Sequence, residues 1–372
     1  MRMKIGIITM HYNLNYGAVL QAYATKNVIC DLGYDAEIIN FINPDAKKNM
    51  KLFGGRWIDK LRACLYLQKR VRRLKLFKKF ISEEICGSTM QFSDPSMINT
   101  DWLKYDVYVT GSDQTFNLFL SDNVKFREAY FMPLIKFNKM SYAASMGDSI
   151  LKHSEESKKW VREALNTYDF LSVRENSAAD FIETLGIKRP NVVLDPTLLL
   201  DVERWESLAN EIKYEPNSYI FFYSVVSDKW VVDAVKQVAK KLNLRVVASH
   251  FKNRFEMDAD FIRAEECGPR EFLSLVKNAA FVCTSSFHGT VFSLLFRKKF
   301  LALSITPKGR IENLLSNIGL LGAIVTEEDD LDQKLSAVDF LDFDGPMQLL
   351  AQKKEQSLLF LRKSIEAMGQ GE

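Results

Sequence analysis

Ala279-Ala-Phe-Val-Cys-Thr-Ser-Ser-Phe-His-Gly-Thr-Val-Phe-Ser-Leu294 is the stretch whose reading decides the fold. Ala279 to Thr284 reads as a short buried strand, and Thr290 onward reads as an apolar helix. Between them lies a small polar turn of Ser285, Ser286, Phe287, His288 and Gly289. A helix starting at such a turn aims unpaired N–H groups, and roughly half a positive charge, at whatever lies above it. Anions bind there, phosphate above all. His288 could add a charge-assisted hydrogen bond worth about 1.5–3 kcal/mol, or a proton for a departing phosphate. A plainer reading fits the same residues: a serine caps the helix beside a histidine satisfied by a backbone carbonyl.

Working outward, apolar segments followed by amphipathic helices recur in both directions, which points to βαβ units and parallel sheets. Before the turn the spacing predicts strands at Lys4–Met10, Glu37–Phe41, Tyr105–Thr110, Lys139–Ala144, Phe170–Val173 and Asn191–Leu194. Helices are expected at Tyr16–Leu32, Ser154–Thr167 and Ser177–Leu185. The pattern restarts with a strand at Tyr219–Val225, a helix at Asp228–Leu242, a strand at Arg245–Ser249 and a helix at Pro269–Lys277. Beyond the turn come a strand at Phe300–Ser304 and a helix at Met347–Ala367. At 372 residues the chain exceeds the size at which one core keeps growing. Two Rossmann-type lobes are expected, 1–212 and 213–345, with 346–372 packing back as a helix. In open parallel sheets ligands sit beyond the C-terminal strand ends, so facing lobes would place the active cleft between them.

Composition narrows the class. The chain is 47% hydrophobic and 26% charged, as in an ordinary water-soluble protein. No apolar run approaches a membrane span, and the N-terminus enters a strand-like segment without a signal pattern. Five scattered cysteines lack metal-site spacing and fit a reducing cytoplasm. The four histidines show no ligand spacing, so no metal is expected.

The net charge of +3 conceals an asymmetry. Between Lys47 and Phe80 there are thirteen Lys/Arg against one acid, a local +12 that leaves −9 for the rest. Trp57, Leu61, Cys64, Val71, Leu74, Phe77 and Ile81 recur there at helical spacing, so an amphipathic basic insertion is expected over about 47–82. It reads as a solvated face on a packed helix, or as a contact for an anionic membrane or a diphosphate-linked substrate. Nucleic acid is disfavoured, since no recognition motif accompanies the charge.

Four polar punctuations follow strands: His11-Tyr-Asn-Leu-Asn-Tyr-Gly-Ala-Val-Leu-Gln21, Thr110-Gly-Ser-Asp-Gln-Thr-Phe-Asn117, Ser172-Val-Arg-Glu175 and the His288 turn. The first is no dinucleotide fingerprint, because G-x-G-x-x-G is absent. Asp113 could equally cap a helix, and Arg174 could equally pair with Glu175 or another surface acid.

Together with Ser141-Tyr-Ala-Ala-Ser145 and Leu194-Asp-Pro-Thr197, these segments resemble the polysaccharide pyruvyl transferase family over nearly the whole chain. The resemblance implies a GT-B-like α/β fold. It also implies transfer of a pyruvyl group from phosphoenolpyruvate to a sugar diol, forming a cyclic ketal on a capsular, exopolysaccharide or cell-wall glycan. No cofactor is expected beyond phosphoenolpyruvate as donor co-substrate. The acceptor would be a sugar or glycan, free or polyprenyl-diphosphate-linked, met in the cytoplasm or at the inner membrane face.

Two departures stand out. Family members often carry arginine two residues before the histidine, where this chain has Ser286, and their usual Val-Trp is here Thr115-Phe116. Arg174, a backbone N–H near Gly289, or a later cation such as Arg297 or Arg310 would have to meet the donor charge.

On this reading Arg174, Ser285, Ser286, His288, Gly289 and Thr290 bind the donor, with His288 as general acid. Asp113 orients or deprotonates the acceptor hydroxyl, helped by Gln114 and Asn117, and Asn15, Tyr16 and Gly17 line the acceptor side. The rivals are a nucleotide-sugar glycosyltransferase, with Glu265 or Glu266 on the ribose, and a non-catalytic glycan-binding homologue.

Overall fold

A computed structural model describes residues 2–50, 67–87, 89–119, 124–147, 153–226, 228–249, 261–304, 309–339 and 341–369. The chain divides into two compact units. The first comprises Met1–Gly54, Lys78–Leu200 and Ala351–Glu372, and the second Gly55–Phe77 and Asp201–Leu350.

The first unit is built on the parallel strands β1 (Lys4–Ile8), β2 (Asp35–Ile38), β3 (Val107–Thr110) and β4 (Lys139–Ser141), in the order β2-β1-β3-β4. Ile5 pairs with Val107 and Ile8 with Thr110. The short strands β5 (Ser172–Val173) and β6 (Asn191–Val192) form their own parallel pair. Bridges from Met140 to Phe170 and Ala144 to Val173 tie that pair to the β4 edge. β1 and β3 are buried nearly throughout, the pattern of parallel strands enclosed on both faces. The helix Tyr16–Asp31 is buried on most of its surface, so it lacks the polar stripe of a surface helix.

The second unit holds β7 (Tyr219–Tyr223), β8 (Arg245–Ser249), β9 (Ile262–Arg263), β10 (Phe281–Thr284), β11 (Phe300–Leu303) and β12 (Ile324–Val325). They form one parallel sheet, β12-β11-β10-β7-β8-β9, which is the Rossmann strand order. Its chain order reverses between β7 and β10, as that of the first sheet does between β1 and β3. Those two places are where open α/β sheets leave a ligand crevice.

Several expectations shift. The division falls after Leu200 rather than 212. The helix Val202–Leu208 packs Trp205 edge-on against Phe292 at 5.0 Å, and its Leu208 carbonyl accepts from Arg270. The final helix runs Asp344–Gly369, and from Ala351 it belongs to the first unit, where Ser357 Oγ accepts from the Leu194 N–H at 3.0 Å. Most strands are shorter than the apolar runs suggested, because hydrophobic segments continue into buried loops. Helices at Arg310–Asn317 and Leu331–Asp339 are additions; both are short and mix charge with apolar residues, which hides their period. Of the basic insertion, the helix Leu67–Phe80 is described, whereas Trp57, Leu61 and Cys64 lie outside the described residues.

Candidate active site

At the reversal point of the second sheet, β10 ends at Thr284 and the next helix begins at Phe287, not at Thr290. Ser286 is the N-cap, its Oγ accepting from the Gly289 N–H, so His288 stands in the first helical turn. The earlier start follows from the cap: serine there meets one of the four unpaired N–H groups of a helix start. Thr284 Oγ1 donates to the Tyr223 carbonyl at 2.7 Å and accepts from the Ser286 N–H at 3.1 Å. A Cβ on Gly289 would collide with that same Thr284 oxygen, so only glycine lets the helix approach the strand this closely. Ser285 Oγ lies 2.8 Å from Ser224 Oγ and accepts from the Val225 N–H at 3.1 Å. The loops leaving β7 and β10 are thereby tied together.

His288 is 6% exposed, edge-on to the Phe287 ring at 5.2 Å. Thr290 is fully buried and donates to the Ser286 carbonyl at 3.2 Å, and the Gly289 N–H serves the cap. Both groups take part in building the turn. Of the two later cations, Arg297 follows the C-terminal end of the His288 helix and pairs with Asp344 at 3.1 Å, away from the strand-end edge. Arg310 opens the helix after β11, on the same edge as His288.

At the reversal point of the first sheet, Asp113 follows β3 with φ of +72°. A left-handed non-glycine residue costs on the order of 1 kcal/mol and persists only where its surroundings hold it. The Asp113 carbonyl accepts from Thr115 N at 2.7 Å and Ser145 N at 2.9 Å. Its carboxylate is half-buried and contributes to the field on Arg174 and Tyr130. The Asn117 amide donates to Gln114 Oε1 at 2.7 Å, and both side chains occupy the space a Cβ on Gly147 would need.

Arg174 lies in the interior. Its side chain is 2% exposed, its Nη1 donates to Asp195 at 2.6 Å, and its Nε lies 3.9 Å from Glu175. Burial opposes its charge, but Asp195, Glu175 and Asp113 outweigh that and hold it firmly protonated. A guanidinium so enclosed organises the turn. Tyr16 and Gly17 are also enclosed. Both lie in the buried face of the Tyr16–Asp31 helix, while Asn15, half-buried, caps it by accepting from the Ala18 N–H at 3.2 Å.

Asp195, Glu175, Ser112 and Ser145 had no assigned role in the sequence reading, although all lie within the recurring motifs. His11, after β1, is wholly buried, with Nδ1 3.1 Å from the Thr9 carbonyl and Nε2 3.1 Å from Asn40 Oδ1. Burial lowers its pKa, and its place is structural.

In the basic helix, Lys69 pairs with Glu266 at 3.4 Å and donates to the Arg263 carbonyl at 3.0 Å, while the Arg73 guanidinium lies 5.4 Å from the centre of the Phe77 ring. Arg72, Lys75, Lys78 and Lys79 are exposed. Lys213 approaches the other Glu266 oxygen at 3.5 Å, so each oxygen of that carboxylate faces a lysine. Among the described residues no helix is long and apolar enough to cross a membrane.

The family model described as polysaccharide pyruvyl transferase matches residues 15–307. No curated protein matches the chain by sequence. Among solved structures it is similar to the UDP-GlcNAc 2-epimerase from Neisseria meningitidis bound to UDP-GlcNAc, with a TM-score of 0.53 and 11% identity, covering 98% of this chain and 100% of that one. It is also similar to the UDP-N-acetylglucosamine 2-epimerase from Rickettsia bellii, with a TM-score of 0.52 and 10% identity, covering 100% of this chain and 99% of that one. At such identities the likeness shows the fold alone, the GT-B-like α/β class.

Proposed function

The chain belongs to the polysaccharide pyruvyl transferase family, and we propose that it transfers the pyruvyl group of phosphoenolpyruvate to two hydroxyls of a sugar, releasing phosphate. The observation that carries this reading is His288 in the first turn of a helix at the reversal point of a Rossmann sheet. There an imidazole and a helix dipole lie on one edge, as recognition of a phosphorylated donor requires. Arg310 opens a second helix on that edge and is the candidate to supplement the missing arginine.

The chemistry divides into steps. The donor methylene carbon takes up a proton, which makes C2 electrophilic. One sugar hydroxyl attacks C2 and loses its proton. The C2–O bond to phosphate breaks, phosphate leaving with the bonding pair, and the neighbouring hydroxyl closes the ketal with loss of a second proton. His288 supplies a proton to the donor side, and the helix start bearing it stabilises negative charge on phosphate. Asp113, half-buried at the end of β3, receives a hydroxyl proton from the acceptor, helped by Gln114 and Asn117, with Asn15 on the acceptor side. The acceptor is a sugar of a polysaccharide or of its lipid-linked precursor, and the reaction belongs in the cytoplasm or at the inner face of the membrane.

Phosphorus NMR of phosphoenolpyruvate with galactose-, glucose- and mannosamine-terminated acceptors tests this. Phosphate release that depends on both an acceptor and His288 is expected. Full turnover by His288→Ala removes the histidine from the mechanism. Failure with every acceptor, alongside thermal stabilisation by a nucleotide sugar alone, would instead favour a glycosyltransferase.

A further inference from the structure

Four of the recurring sequence motifs meet in one buried network around Asp113. Asp195 Oδ2 accepts from Ser112 Oγ at 2.8 Å and from Arg174 Nη1 at 2.6 Å, while its Oδ1 accepts from Thr197 N at 3.0 Å and Thr197 Oγ1 at 2.5 Å. Glu175 Oε1 accepts from Ser145 Oγ at 2.8 Å and from Met146 N at 3.0 Å. Ser112 immediately precedes Asp113, and the Ser145 N–H donates to the Asp113 carbonyl at 2.9 Å. Each serine is thus held by one carboxylate, and Arg174 stands between the two carboxylates, 2.6 Å from Asp195 and 3.9 Å from Glu175.

We propose that Glu175 and Asp195 are positioning residues that fix Asp113 from both sides, through Ser145 and Ser112, in the left-handed conformation its role demands. This rests on Asp113 as the acceptor-side base. Buried ion groups are weak contributors to stability, since apolar residues of the same volume often do as well. What they supply here is direction. Asp195 and Glu175 are acceptor-only groups, so each serine hydroxyl beside them must donate. Arg174 places one positive charge between the two carboxylates. The backbone at Asp113 would otherwise relax out of its strained φ, carrying the carboxylate with it.

The test uses the full chain with Ser112→Ala and Ser145→Ala combined, which removes the serine hydroxyl links while Arg174 and Thr197 stay on Asp195 and the Met146 N–H stays on Glu175. Amide exchange is followed at Thr115 and Ser145, whose N–H groups donate to the Asp113 carbonyl, and turnover is measured with and without Asp113→Asn. Protection at those two amides should fall at least tenfold, with Ile5–Ile8 unchanged. In active protein kcat should fall about tenfold or more, KM for phosphoenolpyruvate should stay within twofold, and the loss should vanish in the Asp113→Asn background. Unchanged protection, or an equal kcat loss in both backgrounds, overturns the proposal. A wild-type protein that leaves phosphoenolpyruvate intact, while its double variant loses protection as described, retires the reaction and leaves the clamp standing.

Discussion

Arg174 donates to Asp195 across 2.6 Å with both side chains almost wholly withdrawn from water, at 2% and 0% exposure. The pair joins the segment after β5 to the turn after β6, and through Ser112 it reaches the end of β3. Removing one partner takes from the other its closest counter-charge in the interior.

Asp195→Ala should therefore cost about 3–5 kcal/mol of stability, read as a lowered denaturation midpoint. Arg174→Lys should not restore the wild-type value, because an ammonium lacks the planar fork that reaches two carboxylates. A midpoint shift below about 1 kcal/mol would mean that water enters and screens the pair.

At the His288 turn, Ser286→Ala should destabilise by about 1 kcal/mol through loss of the cap, whereas Ser286→Gly should cost only a few tenths. Gly289→Ala should cost more, about 1–3 kcal/mol, because the new methyl meets Thr284 Oγ1 across a packed strand–helix contact. Thermal unfolding of the three variants gives the order directly. Equal losses at 286 and 289 would show that the helix can back away from β10.

Lys139 begins β4 with its side chain enclosed, Nζ donating to the Met132 carbonyl at 3.0 Å and lying 4.5 Å from the centre of the Tyr168 ring. Burial, with help from Lys136, lowers its pKa from 10.5 to about 7. Between those values the unfolded chain holds a proton that the folded chain has released, so folding gains as pH rises. Below about 7 both states are protonated and the burial penalty is fully felt. Wild type should thus gain on Lys139→Met between pH 7 and 9, with a slope of up to about 1.4 kcal/mol per pH unit. Parallel stability–pH curves for the two proteins would show that Lys139 keeps its proton throughout.

The exposed cations of the basic helix lead to a different expectation. If Arg72, Lys75, Lys78 and Lys79 meet an anionic bilayer, the protein should float with anionic liposomes at low salt and release as salt rises. Reversing the four charges should abolish flotation without changing turnover on a soluble acceptor. No flotation at low salt leaves a solvated face.

Much of this protein is written locally. The parallel βαβ plan follows from short apolar runs alternating with helical periodicity, and two elements, Arg245–Ser249 and Pro269–Lys277, match the expected bounds to the residue. The motifs that place the chain in its family are local strings too, and so is the placement of His288 at a strand-to-helix turn. What sequence could not supply is the partner of each polar side chain. Arg174 looked available for a ligand until the fold brought up Asp195, and Lys69 looked like free charge until it met Glu266. Tyr16 followed a polar asparagine yet went into the core. Helical and strand periods are set by neighbours three or four residues apart at most. Ion pairs and burial depend on which distant segments the packed sheets bring together, and only the tertiary structure decided that.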